Sequence, residues 1–285
     1  MWQVHPYSEA HILDEKGGMT CLEKSIRNAI IKSMKLGYPN NPRNDVVEEI
    51  KWIAEHFDFI DFFMEPDKAY HTAIDTRKIR RILNEYGMDI VGHTPYYLPF
   101  ASPIEALRRA AIMEADKCLQ KFGEIGAGYV TVHANWPPSL FTIKEGIEMQ
   151  VESMKEVVER AEDYGIKIMY ENGVGEMDNY RNTAEILRRV PKLYFHLDVG
   201  HAFLHGRDVG KFIRKLHNKL KHVHIHDNFG TRDLHIPIGS GRIKWDEVVK
   251  ELRRHYDGTI TLEIFGDRDY ILLSKKKFEE MWENL

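Results

Sequence analysis

Short apolar runs recur along the chain, and each is followed by a stretch in which apolar positions have helical spacing. In residues 44–57, for example, apolar side chains recur every three or four positions, and Asn44 or Asp45 is the expected N-cap. The eight apolar runs lie at residues 34–39, 59–65, 88–94, 128–134, 166–172, 193–199, 221–227 and 259–265. Short strands that alternate with helices predict parallel strands joined by right-handed crossovers. The number of strands favours a closed (β/α)8 TIM barrel, an α/β fold, over an open sheet.

Residues that start or stop helices predict the ends of two further helices. Pro103 is expected in the first turn of a long helix over residues 102–126, because its fixed φ suits that position. Gly165 is expected to end a helix over residues 154–165, because glycine adopts the left-handed conformation that closes many helices.

The strand and helix pattern predicts one barrel domain over residues 34–285, since no linker rich in Pro, Gly or Ser interrupts it. Residues 1–33 stand before this pattern. Their segment CLEKSIRNAIIKS predicts either a helix that closes the barrel floor or an extension outside the fold, and the sequence leaves both open.

Residues that bind metals stand where the strands end. In a closed parallel barrel, the C-terminal strand ends meet at one mouth, where catalytic groups collect. The strand ends carry His93, His133, Glu171, Asp198, His224 and Glu263, and the loops just beyond add His201, Asp233 and His235. Carboxylate oxygens mixed with imidazole nitrogens suit manganese, zinc, cobalt or iron, and they suit calcium poorly. The sequence therefore predicts a divalent metal site at the mouth.

The run KHVHIHDN places three histidines at alternate positions. Side chains along a strand alternate between faces, so His222, His224 and His226 share one face, and Val223 and Ile225 share the other. We expect His224 to point into the mouth as a ligand, with His222 deeper and His226 at the rim. Val223 and Ile225 are expected to pack outward against the helices. Histidines away from the strand ends are interpreted as structural: His5, His11, His56, His71, His205, His217 and His255.

Composition narrows the classes of partner. With 285 residues, of which 43% are hydrophobic, the chain can bury a large core. The net charge of -4 gives no global basic field, so a polyanion would need a local basic patch. Only Cys21 and Cys118 occur, which implies no disulfide framework and favours the cytoplasm. No apolar run approaches the roughly 18 residues of a membrane span, so no membrane partner is expected.

Several motifs resemble a known superfamily when they are taken together. The motifs are YEN (170–172), HLDVGHAF (196–203), HIHDN (224–228), DLHIPIGSGRIKW (233–245) and LEIF (262–265). They resemble the sugar phosphate isomerase/epimerase superfamily, a group of xylose isomerase-like TIM barrels that also includes endonuclease IV. The resemblance covers roughly residues 34–270.

The isomerase branch of this superfamily holds its metal with Glu, Asp, His and Glu from four successive strands. The matching residues here are Glu171, Asp198, His224 and Glu263. The resemblance implies that Glu171 and Glu263 are also catalytic and transfer a proton on opposite faces of the substrate, while His201 contacts substrate oxygens. It implies a metal-dependent isomerase or epimerase of a small sugar, sugar phosphate or hydroxy-ketone that acts through a metal-stabilised ene-diolate. The expected cofactor is one tightly bound Mn, Zn or Co ion, and the expected partner is a small carbohydrate.

Residues near the strand ends offer contacts for such a substrate. Aromatic walls are expected from Tyr96, Trp136 and Phe203. Arg232 and Lys244 are expected to bind a substrate phosphate. The turn GSGR at 239–242 is either an anion-binding nest or an ordinary glycine-rich turn.

The endonuclease IV branch gives the alternative, a zinc phosphodiesterase that acts at abasic sites in DNA. Nine ligands hold up to three zinc ions there, and the matching residues are His93, His133, Glu171, Asp198, His201, His224, Asp233, His235 and Glu263. DNA is a partner only under this alternative. Two departures favour the isomerase: Val199 and Gly200 stand where that branch has Thr or Ser and then Cys or Ser, and its HLND is HIHD here.

A third class is a non-catalytic sugar or metal binder, which the intact pair of glutamates disfavours because a binder needs no opposed carboxylates. The sequence leaves open whether the chain forms a homo-oligomer.

Overall fold

The computed structural model describes residues 34–285, in which eight strands alternate with helices. The strands are β1 (Lys35–Pro39), β2 (Phe59–Phe63), β3 (Asp89–His93), β4 (Tyr129–His133), β5 (Lys167–Glu171), β6 (Tyr194–Asp198), β7 (Leu220–Ile225) and β8 (Thr259–Leu262). The helices of this part of the chain are α1 (Val46–His56), α2 (Thr76–Tyr86), α3 (Glu105–Ile125), α4 (Ile143–Glu162), α5 (Tyr180–Arg189), α6 (Val199–Phe203), α7 (Val209–Leu216), α8 (Trp245–His255) and α9 (Arg268–Asn284). The expectations for residues 1–33 lie outside the described residues.

The strands close into one parallel barrel, because β1 pairs with both β2 and β8. The predicted (β/α)8 TIM barrel is confirmed. The register sets the heights of the strand ends: His133 is paired with Glu171, and Asp198 is paired with His224. Residues that are far apart in sequence therefore reach the same level of the barrel.

The barrel interior is layered from an apolar floor to a polar mouth. Phe59, Val91 and Met169 form a small apolar cluster at the floor. Two residues further along their strands, the inward side chains become polar, as at Asp61 on β2 and Glu171 on β5. The outward faces of the strands pack against the helices in the main hydrophobic core, which includes Val223 and Ile225 as predicted.

Asp45, one of the two expected N-caps, caps α1 by accepting hydrogen bonds from the Val47 and Glu48 amides. Other helix ends differ from the prediction. Pro103 lies before α3, not in its first turn, because the helix begins at Glu105 after Ile104. These differences move boundaries by a few residues and leave the barrel unchanged.

Helix α4 is longer than predicted at its start. It begins at Ile143, where the Thr142 side chain and Glu145 form a reciprocal capping box that satisfies two free amides. It ends at Glu162, so Gly165 lies three positions beyond, with φ +71° in the turn that leads into β5.

No helix within residues 34–285 is long and apolar enough to cross a membrane.

Candidate metal centre

The structure brings all nine predicted ligand residues to the barrel mouth, on strand ends β3 to β8 and the loops that follow. Six of them are almost completely buried: His93, Glu171, Asp198, His201, His224 and Glu263. The other three, His133, Asp233 and His235, are half-buried and line the same cavity. Their placement fits a metal centre, and their roles as ligands stay predictions.

Four side chains converge at the middle of this centre. The Nδ1 atom of His224 lies 3.0 Å from Glu263 Oε2, 3.9 Å from Glu171 Oε1 and 3.9 Å from Asp198 Oδ2. Glu171 Oε1 and Asp198 Oδ2 are buried and have no hydrogen-bond partner among the described residues. Buried carboxylate oxygens without partners are costly, so this set fits a bound divalent cation.

A second group of donor atoms surrounds the other oxygen of Glu171. Glu171 Oε2 lies 3.1 Å from His93 Nε2 and 3.0 Å from His133 Nε2, and these two nitrogens are 3.1 Å apart. Glu171 therefore bridges the central set and a histidine pair.

A third group forms around Asp233. Its Oδ2 atom lies 2.9 Å from His235 Nε2 and 3.2 Å from His201 Nε2. Asp233 Oδ1 has no hydrogen-bond partner in residues 34–285, although it is buried. This group also offers a nitrogen and oxygen donor set, which suits zinc and related metals.

Backbone carbonyls orient three of the histidines. His93 Nδ1 faces the Thr94 carbonyl, His201 Nδ1 faces the Asn172 carbonyl, and His235 Nδ1 faces the Glu263 carbonyl, at 2.9–3.0 Å. A carbonyl only accepts, so each Nδ1–H donates and each Nε2 is left toward the carboxylates. His235 adopts φ +46° at this position, in the left-handed region.

Asp61 orients His224 from below and was missed by the sequence analysis. Its Oδ2 atom lies 2.6 Å from His224 Nε2 and 3.1 Å from His222 Nε2. The carboxylate accepts the His224 Nε2–H and so leaves Nδ1 toward the centre. His222 lies one layer deeper, as predicted. The available signal was the acid at the centre of the apolar run FIDFF.

Two further histidines lie beside the centre. His196, which was also missed, is fully buried beside the centre, and its Nδ1 lies 3.0 Å from the Thr131 hydroxyl. It stands two residues before Asp198, so the alternation of strand faces was a signal for it. His226 directly follows β7 and is fully buried, and its Nε2 lies 3.1 Å from Asp198 Oδ1.

The charges in this centre favour a cation. Burial opposes the charge on Asp198, but the neighbouring His201 and His226 hold the pKa of this carboxyl well below its usual range. Burial likewise opposes protonation of His224, yet Glu263 and Asp61 raise its pKa well above the ordinary value. The carboxylates therefore keep positive charge in the site, and a divalent metal can replace those protons.

A cavity of about 780 Å³ opens above the centre. Of the predicted substrate contacts, His201 and Tyr96 line it. Trp136 and Arg232 are not among the described residues that line it. The Trp136 indole N–H donates to Asp178 at 2.7 Å and supports the loop after β5, and Arg232 is exposed.

The other suggested substrate residues also lie away from the cavity lining. Phe203 packs near Gly230, and Lys244 pairs with Glu247 at 3.3 Å on the surface. The GSGR turn faces the carboxylate of Asp227, a residue of the same chain. The amides of Gly239 and Ile243 donate to the buried Asp227 carboxylate at 2.8 and 3.3 Å, so this turn is structural.

Most of the histidines that were interpreted as structural lie outside the cavity lining. His56, for instance, faces its own helix through the Trp52 carbonyl, and His71 contacts Glu114. His5 and His11 lie outside the described residues.

Comparison with known proteins finds that this barrel is similar to sugar epimerases and to probable endonuclease 4 proteins. The family described as xylose isomerase-like TIM barrel matches residues 50–283. The uncharacterised protein MJ1311 of Methanocaldococcus jannaschii is 33% identical over 249 residues, which cover 81% of this chain and 83% of that protein. Fructoselysine 3-epimerase of Escherichia coli O157:H7 is 26% identical over 204 residues, 66% of this chain and 72% of that enzyme.

The chain is also similar to a solved epimerase-like structure and to a probable endonuclease 4. The crystal structure of a D-tagatose 3-epimerase-like protein superposes with a TM-score of 0.80 at 30% identity, and covers 88% of this chain and 97% of that one. A probable endonuclease 4 of Aquifex aeolicus is 26% identical over 231 residues, 73% of this chain and 81% of that protein. The resemblance found in the motifs is thus confirmed on both sides, epimerase and endonuclease.

Proposed function

We propose, since this chain belongs to the xylose isomerase-like TIM barrel family, that it is a divalent-metal-dependent isomerase or epimerase of a small sugar, sugar phosphate or related hydroxy-ketone. Its relatives include fructoselysine 3-epimerase, and its fold superposes on that of a D-tagatose 3-epimerase-like protein. The reaction would move a proton on a carbon next to the carbonyl of the substrate.

The observation that carries this proposal is the convergence of Glu171 and Glu263 on His224 Nδ1. One oxygen of each glutamate lies within 3.9 Å of that nitrogen, and Asp198 approaches from the same side of the ring. Two carboxylates that meet at one point can remove a proton from one face of a small substrate and return it on the other.

The side chains divide the work in this proposal. Glu171, Asp198, His224 and Glu263 would hold a manganese, zinc or cobalt ion, which supplies Lewis-acid stabilisation of negative charge on the substrate oxygens. One of Glu171 and Glu263 takes the proton beside the carbonyl, and the other returns one. His201 lines the cavity with its Nε2 toward Asp233, and its ring can contact a substrate oxygen.

The second candidate is a phosphodiesterase that acts at abasic sites in DNA. It is favoured by the two additional donor groups, His93 with His133 and His201 with Asp233 and His235, which bring the centre to the full nine-residue set. The endonuclease 4 relatives support it too. We rank it second because Gly200 and His226 depart from the nuclease pattern and the net charge is -4.

Deuterium exchange tests the leading proposal. The protein, purified without chelator, is incubated in D2O with a panel of ketoses. Proton NMR follows the signal of the proton on the carbon beside the carbonyl, which disappears when deuterium replaces that proton. We expect exchange and formation of an epimer or isomer of at least one ketose. Cleavage of a duplex with one abasic site, with no exchange in any ketose, would overturn the proposal and favour the phosphodiesterase.

Metal stoichiometry separates the two candidates independently. An isomerase with one tightly held ion should keep about one metal per chain when His93 and His235 are changed together to Ala, because the central ligands remain. His217→Ala, on the surface, is the control. About three zinc ions per wild-type chain, falling sharply in the double variant, would favour the phosphodiesterase.

A further inference from the structure

The cavity does not end at the metal centre. It continues past Glu263 to the start of α9 and the side of α1, where Arg268, Trp52 and Glu49 line it. A substrate whose reacting carbons lie at the glutamates therefore has room to extend toward α1. At about 780 Å³, the cavity has the size of sites that enclose ligands larger than a few heavy atoms.

Arg268 is the one arginine or lysine among the described residues that line this cavity. Its guanidinium carbon stands 4.5 Å from the centroid of the Trp52 ring, a cation–π contact that holds the planar group in place. Its side chain is 52% exposed, so most of its N–H groups remain free to meet a ligand. The other ionisable side chains along the cavity are carboxylates, imidazoles and the phenols of Tyr38 and Tyr96.

Glu49 forms only a long ion pair with this arginine. The nearest approach, from Arg268 Nη2 to Glu49 Oε1, is 3.5 Å, at the limit of a hydrogen bond. Shorter bonds already occupy the Glu49 carboxylate: it accepts from the Asn41 amide at 2.9 Å and from Asn44 Nδ2 at 3.0 Å. Glu49 thus anchors the loop after β1 and limits where the guanidinium can turn.

We infer that Arg268, stacked on Trp52, forms a subsite for an oxyanion at the end of the substrate remote from the reacting carbons. The inference rests on the proposed function and narrows it to ketoses that carry a terminal phosphate or carboxylate. A planar guanidinium with free donors binds either group through paired hydrogen bonds. In this inference Arg268 binds the substrate anion, the role that the sequence analysis gave to Arg232 and Lys244.

Calorimetric binding to the metal-loaded full chain tests this subsite. The probes are D-fructose, D-fructose 6-phosphate and 5-keto-D-gluconate, which are neutral, phosphorylated and carboxylated. We expect one of the two anionic ketoses to bind about ten-fold or more tightly than D-fructose, because a charged hydrogen-bonded pair forms. The probe that gains identifies the oxyanion. Arg268→Gln should remove the preference, Arg268→Lys should retain part of it, and Arg232→Gln should keep it.

Two results would overturn the subsite. Equal binding of all three ketoses by the wild type is one. An anionic preference that persists in Arg268→Gln is the other, since the anion would then be held at the metal centre. Deuterium exchange in D-fructose without any anionic preference leaves the proposed reaction standing and removes the subsite. An Arg268-dependent preference without exchange in any ketose would support the subsite and overturn the proposed reaction.

Discussion

At the residue scale, the two nitrogens of His224 face different carboxylates, and this division fixes which nitrogen is free for a cation. Asp61 takes Nε2, and Glu263 faces Nδ1. The sequence predicted His224 and Glu263 because strand ends of a barrel meet at its mouth. It did not predict Asp61, since that residue lies in mid-strand and its partner is 163 positions away, a contact that only the barrel register creates.

Changing Asp61 to Asn should weaken metal binding without unfolding the chain. Asn keeps the volume, but its amide no longer requires the His224 proton to sit on Nε2, so Nδ1 is less available. We expect a loss of about 10- to 100-fold in zinc affinity, measured by competition with a chromogenic chelator. Asp178→Asn is the matched control, because Asp178 is another buried carboxyl that supports Trp136 instead. Equal affinities in the two variants would show that Asp61 does not act through the ligand.

Glu263→Gln tests the proton-transfer role separately from the ligand role. The amide oxygen can still coordinate a cation, but it cannot take a proton as a carboxylate does. Metal affinity should fall modestly, while turnover of a ketose found by deuterium exchange should fall by about 10²- to 10⁴-fold. Turnover within a few-fold of wild type would mean that Glu263 is a ligand and not an acid–base group.

At the element scale, strands were predictable and helix starts were less so. Each strand is an apolar run with a short fixed period, and all eight appear near their predicted positions. The start of α4 was missed although TIKE at 142–145 has the form of a capping box. Gly146 lowers the helix propensity of this first turn. In the structure, glycine is required there: a Cβ would come within 2.8 Å of the Trp136 ring.

The two departures from the endonuclease pattern, at Gly200 on α6 and at His226 after β7, lie against each other in the structure. A Cβ at Gly200 would lie 1.9 Å from His226 Cε1, so the imidazole occupies the space of a side chain at position 200. The endonuclease branch has the opposite arrangement, a small side chain at the first position and Asn at the second. The sequence shows both changes but not that the two positions are in contact, and we expect them to depend on each other.

A double-mutant cycle should reveal this dependence. Gly200→Ser alone should destabilise the fold by about 1–3 kcal/mol or more through overpacking. Adding His226→Asn should relieve the clash, giving a favourable coupling of about 0.5–3 kcal/mol in urea unfolding. Gly200→Ser combined with His217→Asn, a surface change, should be additive. Additive effects in the first pair as well would show that the two positions vary independently.

At the scale of the whole molecule, the helices around the barrel are joined by ion pairs of unequal weight. Several pairs between neighbouring helices are partly exposed, among them Arg108 with Glu152, Arg109 with Glu156, Arg160 with Asp116, and Arg189 with Glu148. Exposed pairs of this kind contribute little. Glu114 of α3 differs because it gathers several partners. Tyr70 donates to it, His71 lies 2.5 Å from Oε1, and Lys117 lies 2.8 Å from Oε2.

The Glu114 cluster should make part of the fold stability depend on pH in a predictable direction. Burial raises the pKa of Glu114, but hydrogen bonds from Lys117, Tyr70 and His71 outweigh it and lower the pKa from 4.5 to about 2. A lowered carboxyl pKa stabilises the folded state above the unfolded-state value, and this contribution is lost as pH falls from 4.5 through about 2. In urea unfolding, Glu114→Gln should therefore be less stable than wild type by a constant amount between pH 7 and 5, and the gap should close on further acidification. Glu148→Gln, which removes an exposed pair, should show a smaller gap at pH 7. If the stability difference between Glu114→Gln and wild type stays unchanged down to pH 3, packing around Tyr70 holds the loop between β2 and α2 against α3, and the carboxylate charge does not.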